Sequence, residues 1–118
     1  MATYSRILLS GSTSGRNIPV VQIVTAGTLI HTAVAGAASF DEIYLWAANV
    51  TAAAVTLTLE WGGVTDPGDH LIKALSIPAN SPAIPLITGE VLNGGLILRA
   101  FASVTLAINV SGYVNRIS

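Results

Sequence analysis

The segment Val55-Thr56-Leu57-Thr58-Leu59-Glu60-Trp61 decides the fold class, because apolar and polar residues alternate along almost its whole length. Successive side chains of a β-strand point to opposite faces, so this alternation is typical of a strand with one buried face. We therefore predict a strand whose core-facing residues are Val55, Leu57, Leu59 and Trp61.

A second, longer segment shows the same alternation. Between Val104 and Val114 the even positions are Val, Leu or Ile, except for Gly112, and the odd positions are mostly small or polar. This predicts a strand over residues 104–114. Glycine inside a strand often marks a bulge or a bend, so we expect one at Gly112.

Other segments have weaker but similar signals. Six of them are rich in β-branched and aromatic residues, and turn-forming Gly, Pro, Asn and Asp separate them: residues 20–24, 29–34, 42–49, 71–77, 83–87 and 96–102. Short strands at regular spacing favour a sandwich over a helical fold. We predict an all-β chain, an antiparallel β-sandwich or jelly roll of about eight strands.

The first sixteen residues differ from the rest of the chain. Residues 10–15, SGSTSG, form a small polar run, and an apolar patch at residues 4–9 precedes it. We predict an extended N-terminal arm over residues 1–16 that docks on this chain or a neighbour, ahead of a single β-sandwich domain over residues 17–118. The alternative is a strand that closes the edge of its own sheet, followed by a Gly/Ser loop.

Composition indicates what surrounds this domain. Only 9% of the 118 residues are charged, the formal net charge is -1, and 52% are hydrophobic, whereas ordinary soluble domains have about 25% charged residues. No stretch matches the roughly 20 apolar residues of a spanning helix, and no basic patch suits nucleic acid. We predict a subunit that buries surface in a protein assembly, with neither membrane nor nucleic acid as partner.

Candidate catalytic and metal-binding residues each have a simpler structural interpretation. The GSTSG run at residues 11–15 lacks the central serine of a nucleophile elbow. His31 and His70 are the only histidines and there is no cysteine, so a zinc site would need both or a second subunit. Asp66 and Asp69 flank a Pro-Gly turn that explains both. We predict no enzyme, with no catalytic residues, metal or cofactor.

Two further features leave an alternative open. Asp41 and Glu42 are an adjacent acidic pair at the start of a predicted strand, which predicts solvent exposure. Trp46 and Trp61 are candidate platforms for stacking a sugar, as in a carbohydrate-binding module, which predicts an exposed aromatic face. The alternation places Trp61 with Leu57 and Leu59, so a core position is the simpler interpretation of that residue.

Four segments together resemble a known class of protein. They are SGSTSGR at residues 10–16, GTLIHTA at 27–33, EWGG at 60–63 and GYVNRI at 112–117. In this order they resemble small virion structural proteins of tailed bacteriophages, and the nearest role is a capsid decoration, or cement, protein. The resemblance spans most of the chain.

The resemblance implies a β-rich homotrimer on the outer surface of a capsid. Its partner would be the lattice of the major capsid protein, and the virion would be assembled in the cytoplasm of a bacterial host. It carries over no catalytic residue. Another virion part, such as a tail, fibre-adaptor or head-spike component, is the alternative.

Overall fold

The computed structural model describes residues 3–118, and the predicted all-β sandwich is confirmed. The described residues form no helix and nine strands: β1 (Tyr4–Leu8), β2 (Ile18–Pro19), β3 (Thr28–Thr32), β4 (Phe40–Asn49), β5 (Val55–Trp61), β6 (His70–Ile77), β7 (Ile84–Leu92), β8 (Ile97–Ala102) and β9 (Ile108–Ile117).

The strands form two antiparallel sheets. The first has the order β1-β9-β4-β7, with β2 also paired to β9, and the second has the order β3-β8-β5-β6. From β3 onward, every connection except β5 to β6 crosses from one sheet to the other. A five-stranded and a four-stranded antiparallel sheet enclosing one core form a β-sandwich, and the finer prediction of a jelly roll stays a prediction.

The N-terminal segment forms an edge of the first sheet. β1 pairs with the second half of β9, from Tyr4 opposite Ile117 to Leu8 opposite Tyr113, and β2 pairs with the first half of the same strand. Leu9 is buried in the core. Within this single chain, β1 therefore lies where the alternative to a docking arm places it, as a strand at the edge of its own sheet. Met1 and Ala2, at the start of the predicted arm, lie outside the described residues, and exchange of the arm between subunits stays a prediction.

The core lies between the two sheets and follows the alternation of the central strands. In β4 every odd-numbered residue is buried, and in β5 the predicted core residues Val55, Leu57 and Leu59 are at most 2% exposed. Trp61 is only partly buried but packs against this core, as the alternation predicts. The buried residues form one continuous cluster that joins the two sheets.

Three predicted strands are wrong in their limits, and one of them is residues 83–87, because β7 runs from Ile84 to Leu92. Residues 20–24 form a loop, and the strand beside them is only Ile18–Pro19. The predicted strand at residues 104–114 begins at Ile108 and ends at Ile117. Val104 and Leu106 fit the alternation, yet they lie in an exposed loop. Leu106 has a backbone φ of 59°, a left-handed conformation outside the β region of regular strands.

Gly112 is required by a close approach of two strands. A Cβ atom at this position would lie within 3.1 Å of the backbone of Leu45 and still closer to the carbonyl oxygen of Tyr44. Pairing between β4 and β9 runs without a register shift through Gly112, so no bulge interrupts it, and the alternative of a bend stays a prediction. The glycine instead allows β4 to lie against β9 at this point.

Candidate functional site

Three ionisable side chains meet inside the sandwich at one end, and we call them the ionic cluster: His31, Asp41 and Arg116. The carboxylate of Asp41 is fully buried. It accepts hydrogen bonds from Nε2 of His31 at 2.8 Å and from Nε and Nη2 of Arg116 at 2.7 and 2.9 Å. The backbone N–H of Val34 donates to it at 3.1 Å. The expectation that Asp41 is solvated at its strand start is therefore wrong.

Each partner of Asp41 comes from a different part of the fold. His31 lies in β3 of the second sheet, and Arg116 lies in β9 directly opposite Asp41 in the first. The backbone N–H of Ser10 donates to Nδ1 of His31 at 3.0 Å, so this nitrogen is an acceptor and Nε2 carries the proton. The ionic cluster thus ties both sheets and the segment after β1 together.

The electrostatic balance of the cluster keeps Asp41 ionised. Burial acts to raise the pKa of Asp41, but the hydrogen bonds from Arg116 and His31 outweigh it and lower that pKa below 3.8. The same hydrogen bond raises the pKa of Arg116, against the effect of burial. Several donors compensate the buried charge of Asp41. The role of the cluster is therefore structural, because it connects the two sheets.

The residue types Ser10, His31 and Asp41 are those of a hydrolytic triad, but their geometry does not suit one. A triad needs the serine hydroxyl on the histidine ring. Here the backbone of Ser10 occupies the ring nitrogen, and its hydroxyl oxygen accepts from the N–H of Thr32 at 2.6 Å. His31 is 1% exposed. No substrate atom can reach the imidazole in this arrangement.

A second buried carboxylate fastens a loop across the second sheet. Glu60 is fully buried although it points away from the core residue Leu59. It accepts hydrogen bonds from the backbone N–H of Gly27 at 2.7 Å and from the hydroxyl of Thr25. Gly27 leaves no space for a Cβ, because the backbone of Ala100 would lie 2.5 Å away. Residues 23–27 therefore fold over the outer face of this sheet.

The outer face of the first sheet carries a stack of aromatic rings. The ring centroids of Tyr44 and Tyr113 are 5.0 Å apart, and those of Trp46 and Tyr113 are 6.1 Å apart. The guanidinium carbon of Arg6 lies 4.6 Å from the Tyr113 centroid, in cation–π geometry. The hydrogen bond from Tyr44 to Glu42 at 3.2 Å raises the pKa of that phenol. Tyr44 and Trp46 therefore both stack on the ring of Tyr113.

The opposite end of the sandwich from the ionic cluster is formed by loops without a single charged residue. We call it the apolar loop end, and it comprises residues 20–22, 50–54, 78–83 and 103–107. Four of its side chains are large, apolar and about half exposed: Val21 at 50%, Val50 at 56%, Val104 at 48% and Leu106 at 60%.

Backbone hydrogen bonds join these loops into one surface. The N–H of Val50 donates to Ala107 at 3.0 Å, that of Leu106 to Val20 at 2.9 Å, and that of Asn80 to Thr51 at 2.8 Å. The apolar side chains are therefore held on neighbouring, mutually bonded segments. A group of exposed apolar residues of this kind is typical of a protein–protein contact.

A groove of about 350 Å³ lies on the outer face of the second sheet. Ile23 from the covering loop forms one wall, and His70 and Lys73 of β6 form the other. The floor comes from Thr56 of β5 and Phe101 of β8. From the sequence alone His70 was an isolated histidine, and this groove was not predicted.

The remaining candidates from the sequence have structural roles. The GSTSG run begins at Gly11, whose N–H donates to Ile30 at 2.9 Å and which leaves no space for a Cβ, so it fastens the edge of the second sheet. Asp69 accepts from the N–H of Thr65 at 3.0 Å, as a turn-capping residue does. The carboxylate of Asp66 pairs with Lys73 instead.

Residues 3–118 contain no group of three His, Asp or Glu side chains that could hold a metal ion. None of them forms a helix that is long and apolar enough to cross a membrane. Comparison with protein-family models, with curated proteins and with solved structures found no match to this chain.

Proposed function

We propose that the protein is a virion structural protein of a tailed bacteriophage, a capsid decoration or cement subunit. In this role it stabilises the lattice of the major capsid protein from the outer surface. The observation that carries the proposal is the apolar loop end, an uncharged surface with four exposed large side chains on mutually bonded loops. The resemblance of the sequence to small phage virion proteins supports it.

The distribution of charge supports a subunit that is surrounded by protein. The chain has eleven Lys, Arg, Asp and Glu residues, because five basic and six acidic residues occur. Asp41 and Glu60 are fully buried, and Arg116 is committed to Asp41. Eight charged residues therefore remain for the outer surface, and a surface so poor in charge favours association.

The physical task of a cement protein explains the shape of the proposed contact. Pressure inside a filled capsid pushes capsomers apart, and a protein that buries surface across their junctions opposes that separation. Specific interfaces bury about 1,200–2,000 Å² in total. Loops that are already held by hydrogen bonds, such as residues 50–54 and 103–107, lose little conformational entropy when they dock. The apolar loop end is suited to this because its backbone is fixed before contact.

A homotrimer is the proposed form of the free protein. Cyclic symmetry places equivalent surfaces of all subunits on the same side, so three apolar loop ends would face the lattice together. The opposite end, which holds both ends of the described chain, would then face outward. The N-terminal strand β1 lies on a sheet edge, where pairing with a neighbouring copy is possible.

The number of copies of this protein per virion tests the proposal. Quantitative mass spectrometry of purified virions should find hundreds of copies per particle, because a cement protein covers a whole lattice. A few copies per particle would contradict the proposal and favour a tail, fibre-adaptor or head-spike component. Electron microscopy of labelled particles would then place the protein at the tail or at a single vertex.

A further inference from the structure

The groove on the second sheet contains a polar side chain that the fold does not use. The side chain of His70 is only 5% exposed, and neither of its ring nitrogens makes a hydrogen bond. Nδ1 lies 3.4 Å from Oδ1 of Asp66 without hydrogen-bonding geometry, and the ring packs edge-on against Phe101. A buried imidazole without partners costs free energy, so this ring is suited to a partner from outside the chain.

The groups around His70 define what a partner for it must offer. In the neutral ring one nitrogen donates and the other accepts, so a ligand must supply both functions. Asp66 and Lys73 are paired at 2.8 Å and cancel each other in charge, so the groove selects neither anions nor cations. Thr56 adds a hydroxyl to the floor, and Phe101 adds an apolar ring.

The groove has suitable size and access for such a ligand. Its volume of about 350 Å³ falls within the range of known small-molecule sites, about 300–1,000 Å³. Lys73 is 57% exposed, so its side chain can move aside at low cost and leave Asp66 and the ring of His70 open to a ligand. A hydroxyl group is both donor and acceptor, and a ring carrying several hydroxyls has apolar C–H faces that suit Phe101.

We propose that this groove binds a sugar residue, with its hydroxyl groups on His70, Asp66 and Thr56 and its apolar face on Phe101. This carbohydrate site goes beyond the proposed function and is independent of it. It also differs from the site that the tryptophans suggested, because Trp46 lies on the other sheet and Trp61 packs against the core.

Saturation-transfer difference NMR of the full chain tests the proposal. The probes are the methyl glycosides of glucose, galactose, mannose, rhamnose and N-acetylglucosamine. We expect saturation transfer to at least one of them and a loss of affinity of about tenfold or more in His70→Ala, as for removal of a hydrogen-bonding partner. Thr56→Val, which keeps the side-chain shape and removes one hydroxyl, should weaken binding by a smaller factor.

Matched controls separate binding in this groove from binding elsewhere on the chain. Trp46→Ala should leave sugar binding unchanged, because its ring lies on the other sheet. His70→Ala should remain folded by its amide spectrum, because the imidazole makes no hydrogen bond in the structure. No saturation transfer to any of these glycosides would overturn the proposal. Binding that survives His70→Ala and Thr56→Val but not Trp46→Ala would also overturn it, as would a response to inorganic phosphate alone.

Discussion

The two ends of the sandwich differ in whether they contain charged side chains. At one end the ionic cluster of His31, Asp41 and Arg116 buries a carboxylate under donors from both sheets. At the other end the loops contain no charged residue and leave Val104 and Leu106 about half exposed. At the first end, the side chains of the ionic cluster have their hydrogen-bonding partners within the chain. The second leaves apolar surface in contact with water, which a partner would cover.

This difference separates two uses of a small all-β fold. Buried hydrogen-bonded charges hold the sheets in one register but contribute little to association. Exposed apolar loops contribute little to folding but can drive association. A variant at the ionic cluster should therefore change stability, whereas a variant at the apolar loop end should change assembly.

The largest effect is expected from Asp41→Ala. This change leaves the buried imidazole of His31 and the partly exposed guanidinium of Arg116 without their acceptor. A buried donor that is left without a partner costs about 1–3 kcal/mol. Urea denaturation should show this loss in the free energy of unfolding, and Asp66→Ala, which breaks an exposed ion pair, serves as the matched control. Equal losses in the two variants would show that the ionic cluster contributes no more to the free energy of unfolding than an exposed ion pair does.

The pH dependence of stability should report the same cluster. Because the folded-state pKa of Asp41 lies below its ordinary value of 3.8, the carboxylate contributes stability above that pH. This contribution is lost as the pH falls from about 3.8 through the lowered folded-state pKa. Urea unfolding at a series of acidic pH values should show a steeper loss in the wild type than in Asp41→Asn. Parallel curves would mean that other carboxylates cause the loss of stability at acidic pH.

The apolar loop end should respond in the opposite way. The double variant Val104→Ser with Leu106→Ser should change the free energy of unfolding by no more than about 0.5 kcal/mol, because both side chains are largely exposed. Its attachment to capsids that lack the protein should fall by tenfold or more in a co-sedimentation assay. Val91→Ser, a substitution of a side chain 51% exposed on β7, is the control. Equal attachment of all three proteins would remove the apolar loop end from the contact.

The smallest effect is expected at the surface pair of Lys73 and Asp66. Both side chains are more than half exposed, and solvent strongly screens an exposed ion pair. Lys73→Ala should therefore shift the urea midpoint only slightly, and about 1 M salt should remove the difference. A loss comparable to that of Asp41→Ala would place this pair among the main supports of the fold.

Much of the fold could be predicted from the sequence because strand alternation is a local signal. β5 is found with its limits, and the core of β9 follows from its alternation. Val104 and Leu106 fit the same pattern, yet their loop has a left-handed residue that no apolar pattern reveals. The length of β9 was therefore predicted wrongly at its start.

The buried polar groups could not be predicted in the same way. Arg116 lies 75 residues from Asp41 in sequence, and Gly27 lies 33 residues from Glu60. Whether each carboxylate is solvated depends on distant segments that cover it, so Asp41 and Glu60 looked like ordinary outward residues. The groove at His70 needs the same kind of information, because its two walls come from β6 and from a loop before β3.

Hydrogen–deuterium exchange of the protein with and without capsids tests the proposed attachment most directly. We predict slower exchange on attachment for the loops at residues 50–54 and 103–107, because the lattice would cover the apolar loop end. The loop at residues 33–39, beside the ionic cluster, should exchange equally in both states. Protection of residues 33–39 with unchanged exchange at residues 50–54 and 103–107 would contradict the account.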